Sequence, residues 1–150
     1  MKKIFLLFTI SMLSFTLQAQ EIKWMTFNEA TEAQKKNPKP IFMDAFTEWC
    51  TPCKMLDKMT FTDSKVVEHI NKNYYAVKFN AEGNEEINHK GNKYTNPGFD
   101  PERKNKNATH DFTMFLRIPG YPSMVIFDSK GEVTKTIVGY QTPEKLLNQI

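Results

Sequence analysis

The distribution of apolar and polar positions along the chain changes rhythm several times, and each change marks an element. Ile22-Lys23-Trp24-Met25 alternates like a short strand, and Asn28 is placed to cap a helix running from Glu29 to Lys36, stopped by Pro38 and Pro40. Ile41-Phe42-Met43-Asp44-Ala45-Phe46 is nearly continuous in apolar character, the pattern of a strand buried on both faces. Pro52 suits the first turn of a helix that continues through Lys54 to Met59, and Asp63 or Ser64 caps another reaching about Asn71. Tyr75 to Asn80 reads as the next strand. Residues 81–107, rich in Asn, Gly, Lys and Glu, show little periodicity and read as a long insertion, either a solvated loop or a partly ordered excursion in which Tyr94 and Phe99 are candidate anchors. A short helix from His110 to Leu116 and the Ile118-Pro119-Gly120-Tyr121-Pro122 stretch lead to a strand at Ser123 to Phe127. Asp128-Ser129-Lys130-Gly131 then turns the chain into Val133 to Val138, and Pro143 opens a last helix. Strand and helix alternating, then a hairpin and a helix, predict an α/β domain with a central mixed β-sheet flanked by helices on both faces.

The first nineteen residues follow a different logic. Met1-Lys2-Lys3, an apolar run from Ile4 to Leu17 and a small residue at Ala19 match a secretory signal peptide cleaved after Ala19; the run is short beside the ~20 residues of a membrane span. No cysteine adjoins that site, so lipid anchoring is not expected, and a soluble periplasmic or secreted product without stable membrane insertion is. Loss of residues 1–19 removes Lys2 and Lys3 and leaves 18 basic against 17 acidic residues, a net charge of +1 over 131 residues. So weak a charge makes no electrostatic case for nucleic acid or an anionic membrane, and that length predicts a single domain at 20–150.

The chemistry is concentrated in Trp49-Cys50-Thr51-Pro52-Cys53-Lys54, which holds the only two cysteines of the chain. When a C-x-x-C pair opens a helix, the first sulfur meets unpaired N–H groups and the positive end of the helix dipole, which favour the thiolate. The second sulfur, one turn on, can then attack a mixed disulfide from within. Other uses of two cysteines compete. A structural bridge closing so small a loop removes little unfolded-state entropy. Structural zinc needs about four ligands, and His69, His89 and His110 have no ligand-like spacing, so no metal is expected there and the three histidines are read as structural or surface groups. Two thiolates can hold a cuprous ion, which leaves a copper-delivery protein or a non-catalytic binding module open. In an exported chain, where disulfides persist, one lone C-x-x-C points to redox work. Asp44 stands in an apolar strand, where burial raises a carboxyl pKa and suits it to act as a base toward Cys53; a solvent-touching strand end is the plainer alternative.

Asp44, the Trp49 to Lys54 motif, Lys78, Gly120-Tyr121-Pro122-Ser123, Gly131 and Gly139 together resemble the thioredoxin superfamily over most of residues 22–150. Met55 to Asp63 and the secretory leader are most similar to exported bacterial thioredoxin-like proteins akin to the C-terminal domain of the membrane reductant transporter DsbD. The insertion after Asn80 departs from the compact thioredoxin pattern, so a substrate does not carry over. The resemblance implies a thioredoxin-like fold, Cys50 as exposed nucleophile, Cys53 as resolving thiol and Lys78 as partner of Asp44. It also implies a cis-proline at Pro122 facing the cysteines, where the backbone of Tyr121 can pair with an extended substrate. Trp49, Thr51 and Pro52 would line the substrate side, Trp49 either shielding the thiols or packing in the core; Glu48 reads as a solvated charge. The expected function is thiol-disulfide exchange with protein disulfides, fed by an upstream thiol reductant and needing no cofactor. Proline directly before Cys53 resembles the reductants of the superfamily rather than its strong oxidant DsbA, whose potential lies ~150 mV higher.

Overall fold

The computed structural model describes residues 20–150; the expected signal peptide lies outside them. Five strands form one sheet, β1 (Trp24–Met25), β2 (Ile41–Phe46), β3 (Tyr75–Asn80), β6 (Ser123–Phe127) and β7 (Val133–Val138), in the order β1-β3-β2-β6-β7. β1 and β2 run parallel to β3, whereas β6 is antiparallel to β2 and β7 to β6, so the sheet is mixed as its sequence pattern predicted. The central position of β2 explains its composition, since all but Phe46 of its six residues are buried. Helices α1 (Phe27–Lys36), α2 (Thr51–Met59), α3 (Ser64–Asn73), α4 (Asp111–Phe115) and α5 (Pro143–Leu147) complete the domain. One core cluster gathers Phe42, Leu56, Phe61, Val66, Ile70 and Met124; the other gathers Phe27, Met43, Phe79, Ile87, Phe112 and Phe127. Alternate residues of β2 feed the two clusters, as a strand covered on both sides requires. Among the described residues no helix is long and apolar enough to cross a membrane.

Three boundaries differ from the sequence reading, each for a local reason. Thr26, not Asn28, caps α1, because Glu29 at the third helical position completes a reciprocal capping box with it. Asn28 is thereby free for tertiary work: its amide donates to the Glu86 carbonyl at 2.8 Å and accepts the Asn88 N–H at 2.8 Å. Only Trp24 and Met25 of the first apolar stretch join the sheet; Ile22 is buried in the core without a ladder partner. Asp63, one of the two expected caps, does cap α3 through two backbone N–H groups, but the helix runs on past Asn71 to Asn73.

The β3–α4 segment is ordered by polar ties as much as by apolar ones. A hairpin of β4 (Ile87–His89) and β5 (Asn92–Tyr94) turns at Lys90-Gly91, both with positive φ. Tyr94 packs on Phe112 and Phe115 at 5.2 and 4.9 Å between ring centroids and does anchor the segment. Phe99 is only half-buried and lines a surface groove instead. The closing element is Asn96, whose buried amide donates to the carbonyls of Gly83 at 2.9 Å and Ala108 at 2.7 Å, joining the two ends of the segment.

Candidate active site

The end of β2 delivers the chain to Cys50, which is the N-cap of α2. Its Sγ accepts the Cys53 backbone N–H at 3.2 Å, and Pro52, with no N–H to leave unpaired, occupies the first turn. Cys50 and Cys53 form a disulfide with Cα atoms 5.3 Å apart. Thr51 and Pro52 are exposed beside it. Cys50, expected to be exposed, is not: each cysteine is only 2 % accessible in this disulfide state. The position at a helix start is readable from sequence, but the burial of the sulfurs is not. Since that N–H stabilises negative charge on Cys50 and Cys53 lies inside the helix, the reduced protein is expected to lose Cys50 to iodoacetamide several-fold faster than Cys53. Peptide mapping after a timed quench reads this directly; equal labelling would contradict it.

Asp44 sits in the middle of β2 with no solvent exposure, which removes the strand-end alternative. Its Oδ2 receives the Lys78 ammonium at 2.6 Å from the adjacent strand β3, in register with it, while its Oδ1 has no hydrogen-bond partner. Burial pushes the carboxyl up to about 6 against the pull of Lys78. Lys78 also pairs with Asp57, one helical turn beyond Cys53 on α2, and stands 5.0 to 5.3 Å from the rings of Trp24, Phe46 and Phe61. One lysine thus connects the buried carboxyl to the helix that carries both sulfurs. Asp57 was given no role from sequence, although its place four residues after Cys53 puts it on the same helix face.

The peptide bond between Tyr121 and Pro122 is cis. The Pro122 carbonyl accepts the Gly139 N–H at 2.8 Å, and the Ser123 hydroxyl donates to the Gly120 carbonyl at 2.7 Å, which holds the loop to the sheet edge. The Tyr121 ring meets Trp49 edge to face, with centroids 6.0 Å apart, so the proline loop and the cysteine loop share one corner of the molecule. Burial, with the Glu82 carboxylate adding to it, raises the Tyr121 phenol above its ordinary range.

Residues 27–150 match the thioredoxin-like domain family. The chain belongs to that family. It is 27 % identical over 126 residues to the thiol:disulfide interchange protein DsbD of Campylobacter jejuni, a match that spans 83 % of this chain but only 18 % of that protein. Among solved structures it is similar to a disulphide-isomerase candidate from Bacteroides thetaiotaomicron, at 27 % identity and TM-score 0.59 over 88 % of this chain and 93 % of that one. The oxidised C-terminal domain of Neisseria meningitidis DsbD shares the fold, with TM-score 0.55 and 17 % identity over 81 % of this chain and 87 % of that one. A thioredoxin-like fold with a C-x-x-C disulfide at the start of α2 supports thiol-disulfide oxidoreductase chemistry.

Within this thioredoxin-like domain the remaining polar groups sort by their partners. Trp49 is 39 % exposed and therefore not a core residue; its indole N–H donates to Glu82 Oε2 at 2.9 Å. Sequence reasoning did not single out Glu82, whose partner lies 33 residues away with no periodic signal to connect them. Glu48 is exposed and takes a long 3.4 Å hydrogen bond from Asn80. His110 caps α4, its Nδ1 accepting the Phe112 N–H at 3.0 Å and its Nε2 reaching the Glu85 carbonyl at 2.7 Å. His89 lies among Phe27, Phe112, Phe115 and Phe127, and His69 tilts against Tyr74. Among the described residues no three His, Cys, Asp or Glu side chains are grouped to hold a metal ion.

Proposed function

We propose that this protein is an exported, periplasmic thiol-disulfide oxidoreductase that works as a reductase of protein disulfides. The observation that carries the reading is the Cys50–Cys53 disulfide at the N-terminus of α2, in the corner where Trp49 meets the Tyr121-Pro122 loop, with Asp44 linked through Lys78 to the same helix. In the reduced form the Cys50 thiolate attacks a substrate disulfide, forming a Cys50-to-substrate disulfide and expelling one substrate thiolate. Cys53 then yields its proton to Asp44 and attacks Cys50 Sγ, expelling the second thiolate. The two expelled thiolates take up protons, so the substrate ends as a dithiol and the protein as a disulfide, two electrons having moved. An upstream dithiol reductant runs the same steps backward to restore Cys50 and Cys53. Trp49, Thr51 and Pro52 form the substrate side of the sulfurs, and the Tyr121 backbone beside Pro122 pairs with the substrate chain.

The direction rests on Pro52 preceding Cys53, as in the superfamily's reductants. Equilibrating the protein with redox buffers should give a Cys50–Cys53 potential nearer the ~−270 mV of thioredoxin than the ~−120 mV of DsbA. The protein should also accelerate insulin reduction by dithiothreitol. A potential near the oxidising end would reverse the assigned direction. No insulin activity together with stoichiometric cuprous binding in a titration would replace the enzyme by a copper carrier. Export is tested by N-terminal sequencing of protein recovered from the periplasm, where Gln20 should be the first residue.

A further inference from the structure

Glu82 ties the active-site tryptophan to the far end of the β3–α4 segment. Its Oε2 receives both the Trp49 indole N–H at 2.9 Å and the backbone N–H of Asn107 at 2.8 Å. The next side chain back, Lys106, places its ammonium 4.4 Å from the centroid of the Trp49 ring. Residues 99–107 therefore stand at the mouth of the site, beside a groove of about 310 Å³ whose lining includes Glu48, Phe99 and Lys104.

The charges at this mouth are unevenly engaged. Glu82 is occupied by its two N–H donors, Asp100 by Arg103 at 3.6 Å and by the Glu102 N–H, and Glu48 by Asn80. Lys104 and Lys106, by contrast, make no ion pair among the described residues. Nor does Lys54, exposed directly after Cys53. Of the carboxylates, Glu82 is fully engaged, Glu48 and Asp100 are hydrogen-bonded but open to solvent, and Glu102 is exposed, whereas none of the three ammonium groups has a carboxylate partner among the described residues. We infer that Lys106, supported by Lys104, is a specificity-determining contact that selects protein disulfides flanked by acidic side chains. Trp49, tied by its indole N–H to Glu82 and met edge to face by Tyr121, supplies the surface against which the flanking residue lies, and Lys106 supplies the countercharge.

This inference rests on the exchange activity proposed above, and its test separates the two. Reduced protein is reacted with two disulfide-linked peptides alike except for aspartate or lysine beside each cysteine, and with hydroxyethyl disulfide, which is small and uncharged. The readout is the ratio of the two peptide rates, in which any general change in thiol reactivity or in the amount of folded protein cancels. The unaltered protein should prefer the acidic peptide about two- to fivefold, the range an exposed ion pair supports. Lys106→Gln should bring the ratio close to one, and Lys106→Glu should invert it. Raising the ionic strength from about 0.01 to about 1 M, which shortens the Debye length from ~30 to ~3 Å, should erase the preference of the unaltered protein. Hydroxyethyl disulfide reduced while the two peptides react alike, or a preference unchanged in Lys106→Glu, would overturn the contact and leave the exchange activity standing. Failure to reduce any of the three disulfides would defeat the exchange reading itself and the contact with it.

Discussion

Cys53→Ser is expected to stop turnover and leave substrate proteins covalently attached through Cys50. The substitution keeps the N-cap position of Cys50 and the Cys53 backbone N–H that its sulfur accepts, so first attack is retained. What disappears is the neighbouring thiol proposed to resolve the mixed disulfide. A group held next to its target in the right geometry acts at an effective molarity of about 10⁵ M or more, which millimolar dithiothreitol does not approach. Insulin reduction should therefore fall by more than about 10³-fold. Tagged Cys53→Ser protein, produced with residues 1–19 as the proposed leader, should carry periplasmic proteins that non-reducing gels resolve as high-mass bands and dithiothreitol releases. Cys50→Ser should carry none. Bands of equal intensity in the two variants would reject the division of labour between the sulfurs.

Asp44→Asn should make the disulfide form more stable at neutral pH and slow its chemistry at the same time. The carboxyl is held at about 6 mainly by burial, against an ordinary value of 3.8. Below pH 4 it is protonated in both the folded and the unfolded chain, and the favourable protonated state is fully present. Between pH 4 and 6 the unfolded chain releases this proton first, so stability falls as pH rises. Above pH 6 the loss is complete at ~3 kcal/mol, the free energy of a two-unit shift. Asparagine abolishes that loss and can still accept the Lys78 ammonium, but its amide N–H enters a place where Asp44 Oδ1 has no partner, which takes back part of the gain. Denaturant titrations at pH 8 should show the variant more stable by about 1 to 3 kcal/mol, an advantage that disappears by about pH 4, where only the cost of the unpaired amide N–H remains. In stopped-flow traces with a disulfide substrate, resolution should slow more than attack if Asp44 is the proposed base toward Cys53. A variant no more stable at pH 8, or a difference that persists unchanged at pH 4, would show that burial of the charge is not what raises this carboxyl.

Much of this was legible because it depends on neighbours in sequence. The apolar run from Ile41 to Phe46 reads as a strand buried on both faces, and β2 is the centre of the sheet. C-x-x-C spacing sets two sulfurs one helical turn apart, and Pro52 fits only the first turn. The pattern puts the cap of α1 at Asn28 because Asn is the better cap in isolation, and only the reach of Glu29 back to Thr26 decides for Thr26. Residues 81–107 looked featureless since their order comes from single side chains such as Asn96 and Glu82 bonding across the segment, and such bonds have no period to detect.

The sequence by itself determined the order of the five sheet strands and the helices, the mixed sheet and the location of the redox pair, though not the β4–β5 hairpin, because hydrophobic periodicity, proline and caps act over a few residues. Tertiary structure alone decided the burial of both sulfurs, the link from Asp44 through Lys78 to Asp57, and the clamp of Glu82 and Lys106 on Trp49. Those are meetings of residues 21 to 57 positions apart, and whether a charge is desolvated or paired depends on what the fold brings beside it, which no local pattern records.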